Sequence, residues 1–129
     1  MVLVDTSVWV EVFRKGSRVR LEALVDFDEV VTCLPVIQEV LQGFDDERAF
    51  LAAREAMHAL PTVESPMPRA VFDHAADLYR AARRAGLTVR SGVDCVIAAC
   101  ALRNDLDLLH KDRDFDTIAR ISTLRSHRA

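Results

Sequence analysis

Little in this sequence offers a cross-link, a membrane anchor or a global charge. It has only three cysteines, Cys33, Cys95 and Cys100, and none of them stands at CxxC or zinc-module spacing. That excludes a zinc finger and a disulfide framework. Their flanks are apolar, so buried free thiols are expected. An odd cysteine count with no signal peptide points to a reducing cytosol. No apolar run approaches the roughly 20 residues that cross a bilayer. Glycine and proline number four each in 129 residues, half of them hydrophobic, which excludes a disordered or low-complexity chain. The net charge of −3 gives no general attraction to nucleic acid or anionic lipid, so any such contact must come from a local basic patch. There is no repeat and no linker, and residues 1–129 read as one domain with enough length for a core.

What the chain does have is concentrated at its start. Val2-Leu3-Val4 runs into Asp5, Thr6 and Ser7, and Val8-Trp9-Val10 follows. This reads as a short buried strand ending at Asp5, with a helix starting at Thr6 or Ser7. A fully apolar strand suits the centre of a parallel sheet. An acid at its carboxyl end lies where open α/β sheets place their ligands. Taken alone, Asp5 is equally a helix cap.

Strands and helices then alternate. Residues 17–26 read as a helix with Val19, Leu21, Leu24 and Val25 inward, and residues 29–33 as a β-branched strand. Pro35 suits the first turn of a helix that buries Val36, Ile37, Val40 and Leu41 and stops near Gly43. Asp45, Asp46 and Glu47 open the next helix. The connection 61–66 holds a short edge strand limited by prolines. Residues 68–85 form the longest helix, with Val71, Phe72, Ala75, Leu78, Tyr79 and Ala82 buried and Gly86 ending it. A helix begins at Ser91, a strand covers 106–110, a short helix includes Ile118 and Ala119, a last strand covers 121–124, and 125–129 is a frayed basic tail. The alternation implies an α/β fold with a mostly parallel sheet flanked by helices.

Four acids stand at comparable places. Asp5 follows the first strand, Glu39 lies on the helix after the second, Asp94 sits in the first turn of the Ser91 helix, and Asp112 follows the strand around Leu108. If the first strand is central and the Leu108 strand is its neighbour, Asp5 and Asp112 face each other across the crevice where strand order reverses. Carboxylates crowded there repel one another, and a hard divalent cation resolves the conflict. Oxygen-only ligation suits Mg²⁺ or Mn²⁺ rather than zinc. Each acid has an ordinary reading as well. Ser91-x-x-Asp94 is the spacing of a capping box, Asp112 can cap a helix, and Glu39 can be a solvated helix residue. Only the joint pattern favours a metal site.

The pattern resembles the PIN-domain ribonucleases, and among them the VapC-type toxins of toxin–antitoxin pairs. The resemblance rests on Val4-Asp5-Thr6-Ser7-Val8-Trp9, Pro35-Val36-Ile37-Gln38-Glu39-Val40-Leu41, Asp94-Cys95-Val96-Ile97-Ala98-Ala99 and Leu109-His110-Lys111-Asp112-Arg113-Asp114-Phe115. The four motifs are in register along nearly the whole chain. The resemblance implies a three-layer sandwich with strand order 3-2-1-4-5. It also implies metal-binding and catalytic roles for Asp5, Glu39, Asp94 and Asp112, with Asp114 a secondary acid acting through water. A hydroxyl from Thr6 or Ser7 would orient Asp5. Lys111 departs mildly, since the family more often has Ser or Thr there. Metal-dependent hydrolysis of RNA phosphodiesters, a cognate antitoxin as partner, a homodimer and a cytoplasmic location are further implications.

Basic residues near the acids are candidates for RNA backbone. Arg83, Arg84 and Arg90 surround the turn before the Asp94 helix, and Lys111 and Arg113 flank Asp112. Arg80 reads as a solvated helix residue. His110, on an apolar strand, reads as a core histidine, and Trp9 and Phe13 as core or interface aromatics. Phe44, Phe50, Leu51 and Met57 read as core residues, with a partner groove as the other possibility. Two rival classes remain. One is an Mg²⁺-dependent phosphatase or phosphotransfer domain, which would usually show a second acid two positions after Asp5, where Ser7 stands. The other is a non-catalytic binding module, which has no need for clustered carboxylates.

Overall fold

The computed structural model describes residues 1–129. Its strands are β1 (Val2–Val4), β2 (Val30–Cys33), β3 (Thr62–Val63), β4 (Asp107–His110) and β5 (Ser126–Arg128). Its α-helices are α1 (Thr6–Phe13), α2 (Leu34–Gln42), α3 (Glu47–His58), α4 (Arg69–Arg84), α5 (Gly92–Arg103) and α6 (Arg113–Arg120). The sheet order is β3-β2-β1-β4-β5, and every pairing is parallel. Successive strand residues point to opposite faces. Leu3 and Val4, all of β2, and Leu108 to His110 are nevertheless buried, so both faces of the central strands are covered. That is the three-layer arrangement expected from the sequence. Strand order reverses between β1 and β4, the pair whose register sets Val4 beside Leu109.

The helices follow their local chemistry. Asp46 caps α3 by accepting from the Ala49 N–H at 2.8 Å. Gly86, at φ 76°, ends α4, and the Leu87 N–H returns to the Ala82 carbonyl at 2.9 Å. α5 is apolar around most of its circumference, burying Cys95, Ile97, Ala98, Ala99, Cys100 and Ala101. The three cysteines are free and buried, and no helix is long and apolar enough to cross a membrane.

Four expectations need correction, one being Leu51, expected in the core but 43% exposed on α3. Residues 17–26 hold only a 3-10 turn at Leu21–Ala23, because Leu21 alone of the expected apolar side is buried. Such a short segment cannot recover the cost of helix nucleation from one side chain. The Ser17 hydroxyl also accepts the Val19 N–H at 3.1 Å, which favours a turn. The last strand is not at 121–124 but at Ser126–Arg128, so the tail is ordered. β5 carries no apolar signal, being held by its ladder to β4 and by ion pairs from Arg128 to Asp116 and from Arg125 to Asp105 and Asp107. Phe72 lies on the outer side of α4 at 51% exposure rather than in its buried stripe.

Phe115 is fully buried, and its ring lies 5.3 Å from that of His110. Phe115→Ala should cost about 3–5 kcal/mol. Urea unfolding followed by circular dichroism measures this, and a loss under about 1 kcal/mol would contradict the core assignment.

Candidate metal centre at the sheet switch point

Asp5 leaves β1 as the N-cap of α1, and its own N–H donates to the Leu109 carbonyl of β4 at 2.9 Å. The carboxylate is 3% exposed. Its Oδ2 accepts both the Ser7 N–H at 3.0 Å and the Ser7 hydroxyl at 2.6 Å. That hydroxyl in turn accepts the Lys111 N–H at 2.9 Å, which ties the start of α1 to the end of β4. Capping therefore uses one carboxylate oxygen of Asp5, whereas Oδ1 is buried without a hydrogen-bond partner. Ser7, not Thr6, orients Asp5. Thr6 instead donates to Glu39 Oε1 at 2.8 Å.

Asp94 lies in the first turn of α5 and is 6% exposed. The capping-box reading fails, because the Ser91 side chain makes no cap hydrogen bond. Asp94 Oδ2 is the second buried carboxylate oxygen without a partner. Asp112 caps α6 by accepting the Asp114 N–H at 2.9 Å. Asp114 reaches across to the start of α5, where it accepts the N–H groups of Arg90 and Ser91, each at 3.1 Å. One carboxylate oxygen from each of Asp94, Asp112 and Asp114 lies within 4.8 Å of the others.

The crowding decides where protons reside. Burial, a hydrogen bond to Asp114 and the charges of Asp5, Asp112 and Asp114 push Asp94 up to about 9. Burial likewise raises Asp5, against the hydrogen bonds from Ser7 and Thr6, and the Asp112 charge adds to the rise. Burial also works to raise Asp114, but hydrogen bonds from Asp94, from the Arg90 and Ser91 N–H groups and from the Arg90 side chain outweigh it and hold its carboxyl low. Burial and crowding therefore favour the protonated form of Asp94.

The donor set fits a hard divalent cation. Asp94 Oδ2 is buried without a partner in a group that includes Asp112, and Asp5, whose Oδ1 is likewise partnerless, feels the Asp112 charge. Soft ligands are engaged elsewhere. The Asp112 N–H donates to His110 Nδ1 at 3.2 Å, and burial lowers the His110 pKa, which keeps the ring neutral. His110 is a core histidine, as expected. Of the acids expected at the site, Asp5 and Glu39 both lie outside the tight group of three, Glu39 half-buried and held by Thr6. Among the expected cations, Arg90 touches the cluster through Asp112 at 3.2 Å and Asp114 at 3.4 Å. Arg83, Arg84, Lys111 and Arg113 are exposed, and their side chains form no ion pair. The sequence reading missed the part Asp114 plays in fixing the start of α5, which joins residues 23 and 24 positions apart.

An all-parallel α/β domain with carboxylates gathered at the strand-order switch has the form of a class of domains that hold a divalent cation there. The chain matches the PIN domain model over residues 2–121. It is 42% identical over 132 residues to Ribonuclease VapC11 of Mycobacterium tuberculosis, covering 98% of this chain and 97% of that protein. The VapC ribonuclease Mb1587 of Mycobacterium bovis is similar to the same extent, at 42% over 132 residues and with 98% and 97% of the two chains covered. The chain therefore belongs to the PIN-domain family, among its VapC ribonucleases. Two solved structures share the fold. VapBC2 from Rickettsia felis, bound to a DNA fragment from its promoter, matches with a TM-score of 0.77 at 16% identity, covering 100% of this chain and 99% of that one. VapBC-5 from Mycobacterium tuberculosis matches with a TM-score of 0.73 at 24% identity, covering 98% and 97%.

The raised Asp94 carries a pH signature. A carboxyl raised in the folded state stabilises the fold fully below its ordinary value near 3.8, and that stability is lost as pH rises through about 9. Thermal unfolding in EDTA should show this decline between about pH 4 and 9. Asp94→Asn should flatten it, raise the melting temperature at pH 8, and abolish the stabilisation that Mn²⁺ gives the parent protein. An unchanged pH profile in that variant would contradict the proton placement.

Proposed function

We propose that this chain is a metal-dependent endoribonuclease, the toxin of a toxin–antitoxin pair, using Mg²⁺ or Mn²⁺. The observation that carries the reading is the pair of buried, partnerless oxygens, Asp5 Oδ1 and Asp94 Oδ2, at the switch crevice. A binding module would lose stability by keeping them and gain nothing in return. Asp5, Asp94 and Asp112 would hold the cation, and Asp114 would act at a second remove because both its oxygens already accept N–H groups. When bound, the cation supplies Lewis acidity toward the scissile phosphate and an attacking water. Ser7 holds Asp5 in one orientation, and the Lys111 N–H holds Ser7. Thr6 holds Glu39 by donating to its Oε1.

The substrate in this reading is an RNA with an accessible single-stranded backbone. Lys111, Arg113, Arg83 and Arg84 would meet its phosphates and make affinity fall with salt. The antitoxin would occupy the cleft of about 750 Å³ lined by Val10, Phe13, Val40 and Phe44, with Arg14 and Lys15 on its rim. The similarity to VapBC complexes supports that partner. A second copy of the chain would cover the outward apolar face of Leu34, Phe72 and Val93.

Purified protein should cut cellular RNA into discrete fragments with Mg²⁺ or Mn²⁺ and none with EDTA, and Asp5→Ala should abolish the fragments. Ser7→Ala should keep the fold and lose roughly 10–100-fold in metal affinity or rate. Intact RNA after incubation with folded, metal-loaded protein would sink the nuclease reading. For the dimer, Phe72→Arg should sediment as a monomer with an unchanged melting temperature. A dimeric variant would place the interface elsewhere.

A further inference from the structure

We infer that Arg90 is the resident counter-cation of the acidic cluster, displaced from Asp112 when the divalent ion binds and then turned toward the substrate phosphate. The phosphate part of this inference rests on the nuclease reading; the displacement does not. Arg90 immediately precedes Ser91, the N-cap of α5, and its side chain is half exposed. One guanidinium nitrogen, Nη2, lies 3.2 Å from Asp112 Oδ1, and Nε lies 3.4 Å from Asp114 Oδ1. The guanidinium therefore spans two of the three acids that lie within 4.8 Å of one another.

The charges explain why it stands there. Asp112 and Asp114 each present a carboxylate oxygen to the guanidinium. One guanidinium offsets one of the two negative charges that such a pair can carry. Asp112 Oδ1 accepts from both the Asp114 N–H and the guanidinium, and a divalent cation bound at this carboxylate would repel the positively charged one of those two partners. The guanidinium is the partner free to leave, because its head is solvent-exposed and its stem has several rotatable bonds. The backbone remains in place, since the Arg90 N–H stays bonded to Asp114 Oδ1. A freed guanidinium a few ångströms from the acids has the planar, multi-donor form suited to a phosphate.

The other cations near the cluster do not fill this place. Lys111 contributes its backbone N–H to Ser7, and the Arg113 side chain forms no ion pair. A purely structural role for Arg90 predicts the opposite result on metal binding. If the guanidinium only held Asp112 and Asp114 in position, removing it would loosen the ligands and weaken the site.

The test is an Mn²⁺ titration by calorimetry on Arg90→Gln, Arg90→Lys and the parent protein at low salt. Counter-cation release makes Arg90→Gln bind Mn²⁺ about two- to fivefold tighter, the range that half-exposed ion pairs support. Arg90→Lys should stay near the parent value. Equal or weaker Mn²⁺ binding by Arg90→Gln overturns the proposal. A second measurement needs no variant: the arginine Nε–Hε resonance of Arg90 in the parent protein should shift on adding Mg²⁺, and an unmoved resonance overturns the displacement. In cleavage assays Arg90→Gln should raise KM more than it lowers kcat. It should also reduce the slope of log affinity against log salt by about 0.7. A KM and slope equal to the parent's overturn the phosphate contact. A parent protein that binds Mn²⁺ but cuts no RNA defeats the nuclease reading instead, and leaves the displacement to be decided by the titration and the resonance.

Discussion

Asp5 must stay aimed at the crevice although burial works against its charge, and most of the site depends on how that is achieved. One of its oxygens is spent on Ser7, whose hydroxyl is fixed by the Lys111 N–H at the end of the neighbouring strand. The β1–β4 pairing therefore positions the carboxylate as well as the backbone. Because the second oxygen has no protein partner, the same device that rigidifies Asp5 leaves it able to bind a cation. A helix cap and a metal ligand are compatible in one residue when each uses a different oxygen.

The remaining acids are arranged by the same division of labour. Asp112 caps α6 and faces the crevice, and Asp114 spends both oxygens on the start of α5. Asp94, which neither caps nor is capped, carries the proton. The three acids that lie within 4.8 Å of one another thus coexist with less than their full charge. A cation held by Asp94 would compete with a proton there, so metal loading and pH would act on one equilibrium.

The alternation of apolar strands with amphipathic helices was legible because burial on both faces leaves uninterrupted runs such as Val30-Val31 and Leu108-Leu109. β5 was not, because Ser126, His127 and Arg128 are held by main-chain pairing and ion pairs rather than by burial. Asp5, Asp94 and Asp112 could be picked out together from strand ends and helix starts. The choice between Thr6 and Ser7 could not, since it depends on which hydroxyl the first turn of α1 points at Asp5 and which at Glu39. Nor could the tie from Asp114 to α5, since sequence spacing carries no trace of a bond between α5 and α6.

The core beneath the site has to absorb what the site costs. Two partnerless carboxylate oxygens, and a proton forced onto Asp94, are unfavourable in the metal-free fold. Phe115 and Ile118 anchor α6 from below, and the buried run of α5 anchors Asp94. His110 joins the two levels, its ring tilted against Phe115 while its Nδ1 accepts the Asp112 N–H. Its other ring nitrogen lies 3.5 Å from Asp116, which also pairs with Arg128 of β5. The edge strand is thereby linked through one side chain to the ring that supports Asp112. Order in the polar tail contributes to holding Asp112 in place.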